Sequence, residues 1–308
     1  MAITQVRVKV NGTWHTMTAG SNNTYSVTIT APGTTSYNLN PKYYNCEVEV
    51  TNTAGTVVTA DGSDLAGLQL VVKETVKPVI TFTSPTSGAY VVNNKQPVVF
   101  TVTDASGGSG VKLSTLVIKV DGTTQASSTY TTTAITNGYR VTFTPASALS
   151  DGSHTVTVNC SDNDGNAAAQ KTLTFTVDTV PPTLNITAPA DNIVTNTASI
   201  NVVGTTNDAT SSPVTISITV TGSGSGQTQT YTPTVSSAGA FTQAVTLYDG
   251  SNTISITATD TAGKTSTVSR TATLDTSRPQ VTAATINPNP ANTEQSVIIT
   301  VTVLPTGG

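Results

Sequence analysis

Apolar and polar residues alternate singly along most of this chain. In residues 296–303, Val297, Ile299, Val301 and Val303 share one face and mostly polar residues the other, the period-2 pattern of a half-buried β-strand. The opening "ITQVRVKV", "PVVFTVT" around Phe100 and "SINVVGT" around Val202 follow the same pattern. Gly, Pro, Asn and Asp break it about every ten residues, the spacing of short strands joined by turns. "VKVNGT" at 8–13 and "VIKVDGT" at 117–123 end in Asn-Gly and Asp-Gly, the pairs that suit a two-residue hairpin because both turn positions need positive φ. The pattern predicts an all-β fold.

The alternation repeats on a longer period. "DGSHTVTVNCSDNDGNA" begins at Asp151 and "DGSNTISITATDTAGKT" at Asp249, an offset of 249 − 151 = 98. "TVDTVPP" and "ATLDTSRP" follow them, and "YNCEVEVTNTAG" with "VVKETVKP" is a weaker copy. Pro78, Pro182 and Pro279 thus open units of about 100 residues, the size of an immunoglobulin-type sandwich. The expected division is an incomplete unit at 1–77 lacking its first strands, full units at 78–181 and 182–278, and a partial unit at 279–308 holding only the first two strands. The hairpin at 8–13 aligns with that at 117–123, so the first unit enters the repeat midway. The terminal segment carries the part that the first unit lacks. Left alone it would expose Val297, Ile299, Val301 and Val303, which suggests strand addition from this segment to the first unit of another copy.

Pro-opened units carrying D-G-x-x-T-apolar-x-apolar and then T-D-x-A-G resemble the tandem bacterial Ig-like domains of cell-surface proteins and phage structural proteins. The resemblance covers almost the whole chain. It implies immunoglobulin-like β-sandwiches in a rod, serving as spacers, display modules or adhesive surfaces. A strand that starts directly after Met1 is similar to Ig-like virion proteins of tailed phages infecting Firmicutes.

Composition narrows the partners. Charged residues are 10% of the chain, against about 25% in ordinary soluble domains, and about a fifth of it is Thr, a residue suited to pleated, half-exposed surfaces. Net charge is −4 and the pI about 5.0, with no basic stripe for nucleic acid. No apolar run reaches the ~20 residues of a membrane span, so membrane insertion is not expected. The first residues lack a signal peptide's basic and apolar regions, although the composition is extracellular in character. Together these suggest a phage virion structural protein, a tail or head appendage made in the host cytosol and contacting the host surface. Its partners would be other virion proteins, copies of itself or host cell-surface glycans. The alternative is an extracellular bacterial adhesin or filament subunit.

Candidate chemistry is sparse. Cys46 aligns with Val156 and Ile254, and Cys160 with Val50 and Ala258. Both therefore take core slots in separate units, too far apart for the ~7 Å Cα limit of a disulfide. His15 and His154 lie in different units with no nucleophile or second ligand at useful spacing, and no catalytic set is expected. "SDNDGN" offers oxygens from Asp162, Asn163 and Asp164, to which Asp178 at the next boundary could add a calcium shell. The aligned "TDTAGK" keeps only Asp260 and "TNTAG" no acid, so a hairpin turn capped by its own Asx side chains is the expected role. No cofactor is expected, and calcium is the one ion considered. Trp14, Tyr37, Tyr43 and Tyr44 cluster in the first unit as candidates for glycan or partner contact. Against that stands a core plug for Trp14 and sheet-edge roles for the tyrosines. Tyr25 aligns with Tyr139 and is expected to be structural. The final "LPTGG" lacks one residue of the sortase pattern L-P-x-T-G and is expected to be a loop.

Overall fold

The computed structural model describes residues 1–224 and 226–304; 305–308, most of "LPTGG", lie outside the described residues. The fold is all-β. It forms two compact units, Met1–Ala89 with Asn94–Thr176, and Tyr90–Asn93 with the chain from Val177 onward.

In the first unit, residues 1–77 build an antiparallel sheet in the order Thr13–Thr16, Ile3–Val10, Glu47–Asn52, Val57–Ala60. Its inner face supplies Val8 and Val10 to a small core with Cys46, against which Met17, Ile29 and Leu70 pack. The outer face carries Arg7, which forks onto Glu49 directly opposite at 2.8 and 2.9 Å. Asn11 and Gly12 take φ of 47° and 81°, and Asp121 and Gly122 48° and 81°, the left-handed conformations that both hairpin turns require.

The rest of this unit has two sheets. One runs Tyr130–Ile135, Gly138–Phe143, Val98–Thr103, Val79–Ser84. The other contains Lys171–Val177, Gly152–Asp162, Val111–Val120 and Thr123–Thr124. Alternate residues of both are buried: Phe100, Val102, Val141 and Phe143 in the first, Val158 and Phe175 in the second. A polar seam joins residues 1–77 to this sandwich, which accounts for their forming one unit. The Asn38 Nδ2 donates to the Gly108 carbonyl at 2.7 Å, Thr35 Oγ1 to Asp164 at 2.6 Å, and Asn166 Nδ2 to the Glu74 carbonyl at 3.1 Å.

The second unit repeats the plan. Thr183–Ala188, Ser199–Asn207 and Ala240–Thr246 form one sheet; Ile193–Thr195, Thr265–Leu274, Gly250–Thr259, Thr215–Gly222 and Thr228–Tyr231 form the other. A single core takes Val202, Phe241 and Val245 from the first sheet and Ile218, Ile254 and Ile256 from the second. Beyond it, Gln280–Asn287 pairs antiparallel with Ile298–Leu304. Both strands are exposed throughout. Val297 precedes the strand, and Ile299, Val301 and Val303 remain 63%, 50% and 49% exposed, because two strands alone provide no second layer.

Both cysteines are free and buried. Burial, reinforced by Asp104 and Asp162, pushes the Cys160 thiol up to about 11, and burial raises Cys46 as well. Neither thiol should react with maleimide in the native protein, and both should react in denaturant without reductant; one unreactive thiol in denaturant would refute this. Phe100 is fully buried, and Phe100→Ala should cost about 3–5 kcal/mol in urea-unfolding measurements on the first unit.

Candidate functional site

The acids that matter continue the buried side of their strands. Side chains two residues apart point the same way in a strand. Phe100 and Val102 lead to Asp104, Val158 and Cys160 to Asp162, Ile256 and Ala258 to Asp260. Val202 begins the same series toward Asp208, through Gly204 and Thr206. Each acid therefore inherits the inward direction where the apolar core ends. Asp104 is 7% exposed, Asp162 and Asp178 0%, Asp208 8% and Asp260 6%.

Two triads result. Glu74, Asp104 and Asp162 bring carboxylate oxygens within 4.8 Å of one another, as do Asp178, Asp208 and Asp260. Their members correspond: Glu74 and Asp178 each stand four residues before a unit-opening proline, Asp104 and Asp208 directly follow the early strand, and Asp162 ends the late strand that Asp260 directly follows in its copy. The structure thus groups Asp178 with Asp208 and Asp260 instead of with Asp162 and Asp164. Asp162 and Asp260 cap backbone amides of their own turns, and the other two acids of each triad lie outside that turn. An acid that extends the inward series of a strand was the available signal.

The triads differ in how their oxygens are satisfied. Asp104 accepts from the Ala105 and Gly110 amides at 2.9 and 2.7 Å. Asp162 accepts from the Gly165 and Asn166 amides and from Asn166 Nδ2 at 2.7–2.8 Å, and Glu74 accepts from the Ser109 amide. Asp164 accepts from Thr35 and from the Glu74 amide at 3.0 Å, so it anchors the seam and stands outside the triad. In the second triad, Asp178 accepts from the Val180 amide at 3.1 Å and from the Ser211 hydroxyl. Asp208 Oδ1 accepts from the Thr210 and Ser211 amides at 2.8 Å. Asp260 Oδ1 accepts from the Lys264 amide at 2.8 Å, whereas its Oδ2 is shielded from solvent and has no partner. Among the described residues, the ion pairs Arg7–Glu49, Lys9–Glu47 and His154–Asp121 touch neither triad.

The remaining candidates are held by structural contacts. His154 is buried, with Nδ1 2.7 Å from Asp121 and Nε2 2.8 Å from the Ser150 carbonyl. Both partners are acceptors, so the ring can donate to both only in its protonated form. Burial opposes that charge, but the Asp121 and Ser150 hydrogen bonds and the Asp121 charge outweigh it and raise the imidazole above its ordinary value. His15 sits half-buried on Thr13–Thr16, opposite Val8. Trp14 lies under the Arg7 guanidinium at 4.4 Å, and the Lys42 ammonium sits 3.5 Å from the Tyr37 ring centre. Of the adjacent tyrosines, Tyr43 is half-buried and Tyr44 buried, with the Tyr44 hydroxyl on Thr34; Tyr44 is therefore a core residue and offers no outward contact.

Residues 87–179 match the family model described as a bacterial Ig-like domain, and 182–276 match glucodextranase domain B. Two successive stretches of the chain, 87–179 and 182–276, thus each match a domain model, the first of them that of a bacterial Ig-like domain. Among solved structures it is similar to a tandem of titin domains (12% identity, 87% of this chain and 85% of that one, TM-score 0.42). It is also similar to a tetra-tandem repeat from the extending region of a large adhesion protein (20%, 98% and 80%, 0.34). A third is a structure of a 1.5-MDa bacterial ice-binding adhesin (22%, 88% and 86%, 0.35). No curated protein matches the chain by sequence.

The His154 geometry has a pH consequence. A raised folded value means that the stabilisation is fully present below the unfolded value of about 6.5 and is lost as pH rises through the folded value. Urea midpoints should fall between pH 5.5 and pH 9, and Asp121→Asn should flatten that part of the profile. An unchanged slope in the variant would show that the pair does not carry it.

Proposed function

We propose that this chain is a non-enzymatic spacer and display segment of a bacterial cell-surface protein. The observation supporting it is repetition: the same sandwich plan recurs, and its buried acids and histidine are engaged in hydrogen bonds of joints and turns. In this reading 78–181 and 182–278 are complete repeats, while 1–77 and 279–308 are partial ones. The virion role expected from the chain's opening has no observation particular to it, and the bacterial family models favour the surface reading. Immunogold labelling with antibody to this chain should mark the surface of intact producing cells. Label confined to phage particles would restore the virion reading.

A second reading concerns assembly. Ile298–Leu304 corresponds to Val98–Thr103 and Ser199–Asn207, which pair onward with Gly138–Phe143 and Ala240–Thr246. In the terminal hairpin no described strand takes that place. Strand addition between copies would use this edge and cover Val297, Ile299, Val301 and Val303. Light scattering should then show assembly of the full chain and its loss on deleting residues 279–308. A monomeric parent, or a deletion variant that assembles equally well, sinks this reading.

A further inference from the structure

We propose that Arg270, together with Asp191, guards an open sheet edge of the second unit's sandwich against pairing with the same edge of a second copy of this chain. Asp178 and Asp275 are offset by 275 − 178 = 97, which sets Arg270 in the place of Leu173 in the preceding repeat. Leu173 is a core residue, 1% exposed. Arg270 has the same inward parity, in line with the buried Ala272 and Leu274 and with Val268 against the core. The residue is half-buried, and its Nε is shielded from solvent with no hydrogen-bond partner. A charge in an apolar slot with an unmet donor costs stability, so packing does not account for it.

The edge on which Arg270 stands differs between the repeats. In the first unit the Gly88 amide donates to the Thr174 carbonyl at 2.7 Å and the Thr176 amide to that of Ala89 at 2.8 Å. Among the described residues, this leaves the strand Lys171–Val177 open only over Lys171–Leu173. In the second unit Ile193–Thr195 pairs with Ala272–Leu274, but the strand begins at Thr265. No described strand pairs with the outer side of Thr265–Thr271. That stretch is rich in β-branched residues, lacks proline and carries Arg270 as its one charge, so its composition invites another strand. Ser269 and Thr271, two apart, turn their backbone groups to the same side. There Arg270 Nη1 lies 3.4 Å from the Ser269 carbonyl, and Asp191 Oδ1 accepts from the Thr271 amide at 2.8 Å. Asp191 stands two residues after Pro189, where the preceding repeat has Ser87 two after Pro85. Both charges therefore belong to the repeat with the long open edge.

An incoming strand would need those same backbone groups. To take them it must lift the guanidinium from Ser269 and the carboxylate from Thr271, and it would close the side through which Arg270 reaches water. Arg270 Nη2 comes no nearer than 3.4 Å to the Ile186 carbonyl, too long a bond to replace lost hydration. The desolvation of that charge opposes the backbone bonds that pairing would add. A three-residue edge can keep Leu173 and full packing, whereas the longer edge carries an inward charge. The inference depends neither on where the protein is displayed nor on the terminal hairpin.

The test is sedimentation equilibrium on the full chain over a concentration series, read as the change from the parent. Arg270→Leu should raise the weight-average mass toward about twice the parent's, as for an isologous pair. Arg270→Gln, which removes the charge without adding apolar surface, should also associate, at higher concentration. Adding Thr267→Lys, a new charge on the exposed face of the same edge, should return Arg270→Leu to the parent's mass. In dilute thermal melts Arg270→Leu should unfold about 4 °C or more above the parent. Masses equal to the parent's for both variants, or association by Arg270→Leu alone, overturn the guard. Association that Thr267→Lys leaves unchanged overturns the edge as its location. A lower melting temperature for Arg270→Leu would make Arg270 a brace between the sheets and overturn the proposal as well.

Discussion

The structure depends on the strict two-residue period of the β-strand. A strand between a core and water must keep its parity, since a slip of one residue turns every inward side chain outward. That constraint buries Phe100, Val102, Ile254 and Ile256, and it also places the acids. Asp104, Asp162, Asp208 and Asp260 are carried inward by the strands they end or directly follow. A carboxylate there must be met by amides, a proton or a cation. The two sandwiches meet the demand differently although the acids occupy corresponding positions.

The difference traces to the turn after the late strand. "DNDGN" gives Asp162 two backbone amides and the Asn166 side chain, and places Asp164 where it can accept from Thr35 and the Glu74 amide. "DTAGK" gives Asp260 a side-chain bond from one amide, that of Lys264. A few substitutions in a turn thus convert a hydrogen-bonded joint into one with an unmet acceptor, without altering the strands on either side.

The fate of the reactive side chains has the same origin. Strand interiors are filled with Val, Ile and Thr, and the few reactive side chains are absorbed into packing. Cys46 and Cys160 serve as small apolar groups. His154 holds the Asp121–Gly122 hairpin through a ring set between the Asp121 carboxylate and the Ser150 carbonyl. Trp14 and Tyr37 each have a cationic side chain against the ring.

Alternation and turn chemistry, both local, were enough to make the all-β fold legible in the sequence. The positive-φ pairs at Asn11–Gly12 and Asp121–Gly122, the paired opening and early strands after each proline, and the burial of both cysteines follow from them. The triads were not legible from any one stretch. Glu74, Asp104 and Asp162 span 88 residues of chain (162 − 74), and Asp178, Asp208 and Asp260 span 82 (260 − 178), so no local motif contains either set. Nor could sequence decide that Tyr44, and not Tyr43, turns into the core, because parity says that adjacent residues point apart without saying which one faces in. Those choices were made by packing one sheet against another, which brings distant strand ends together and sets which oxygens find a donor.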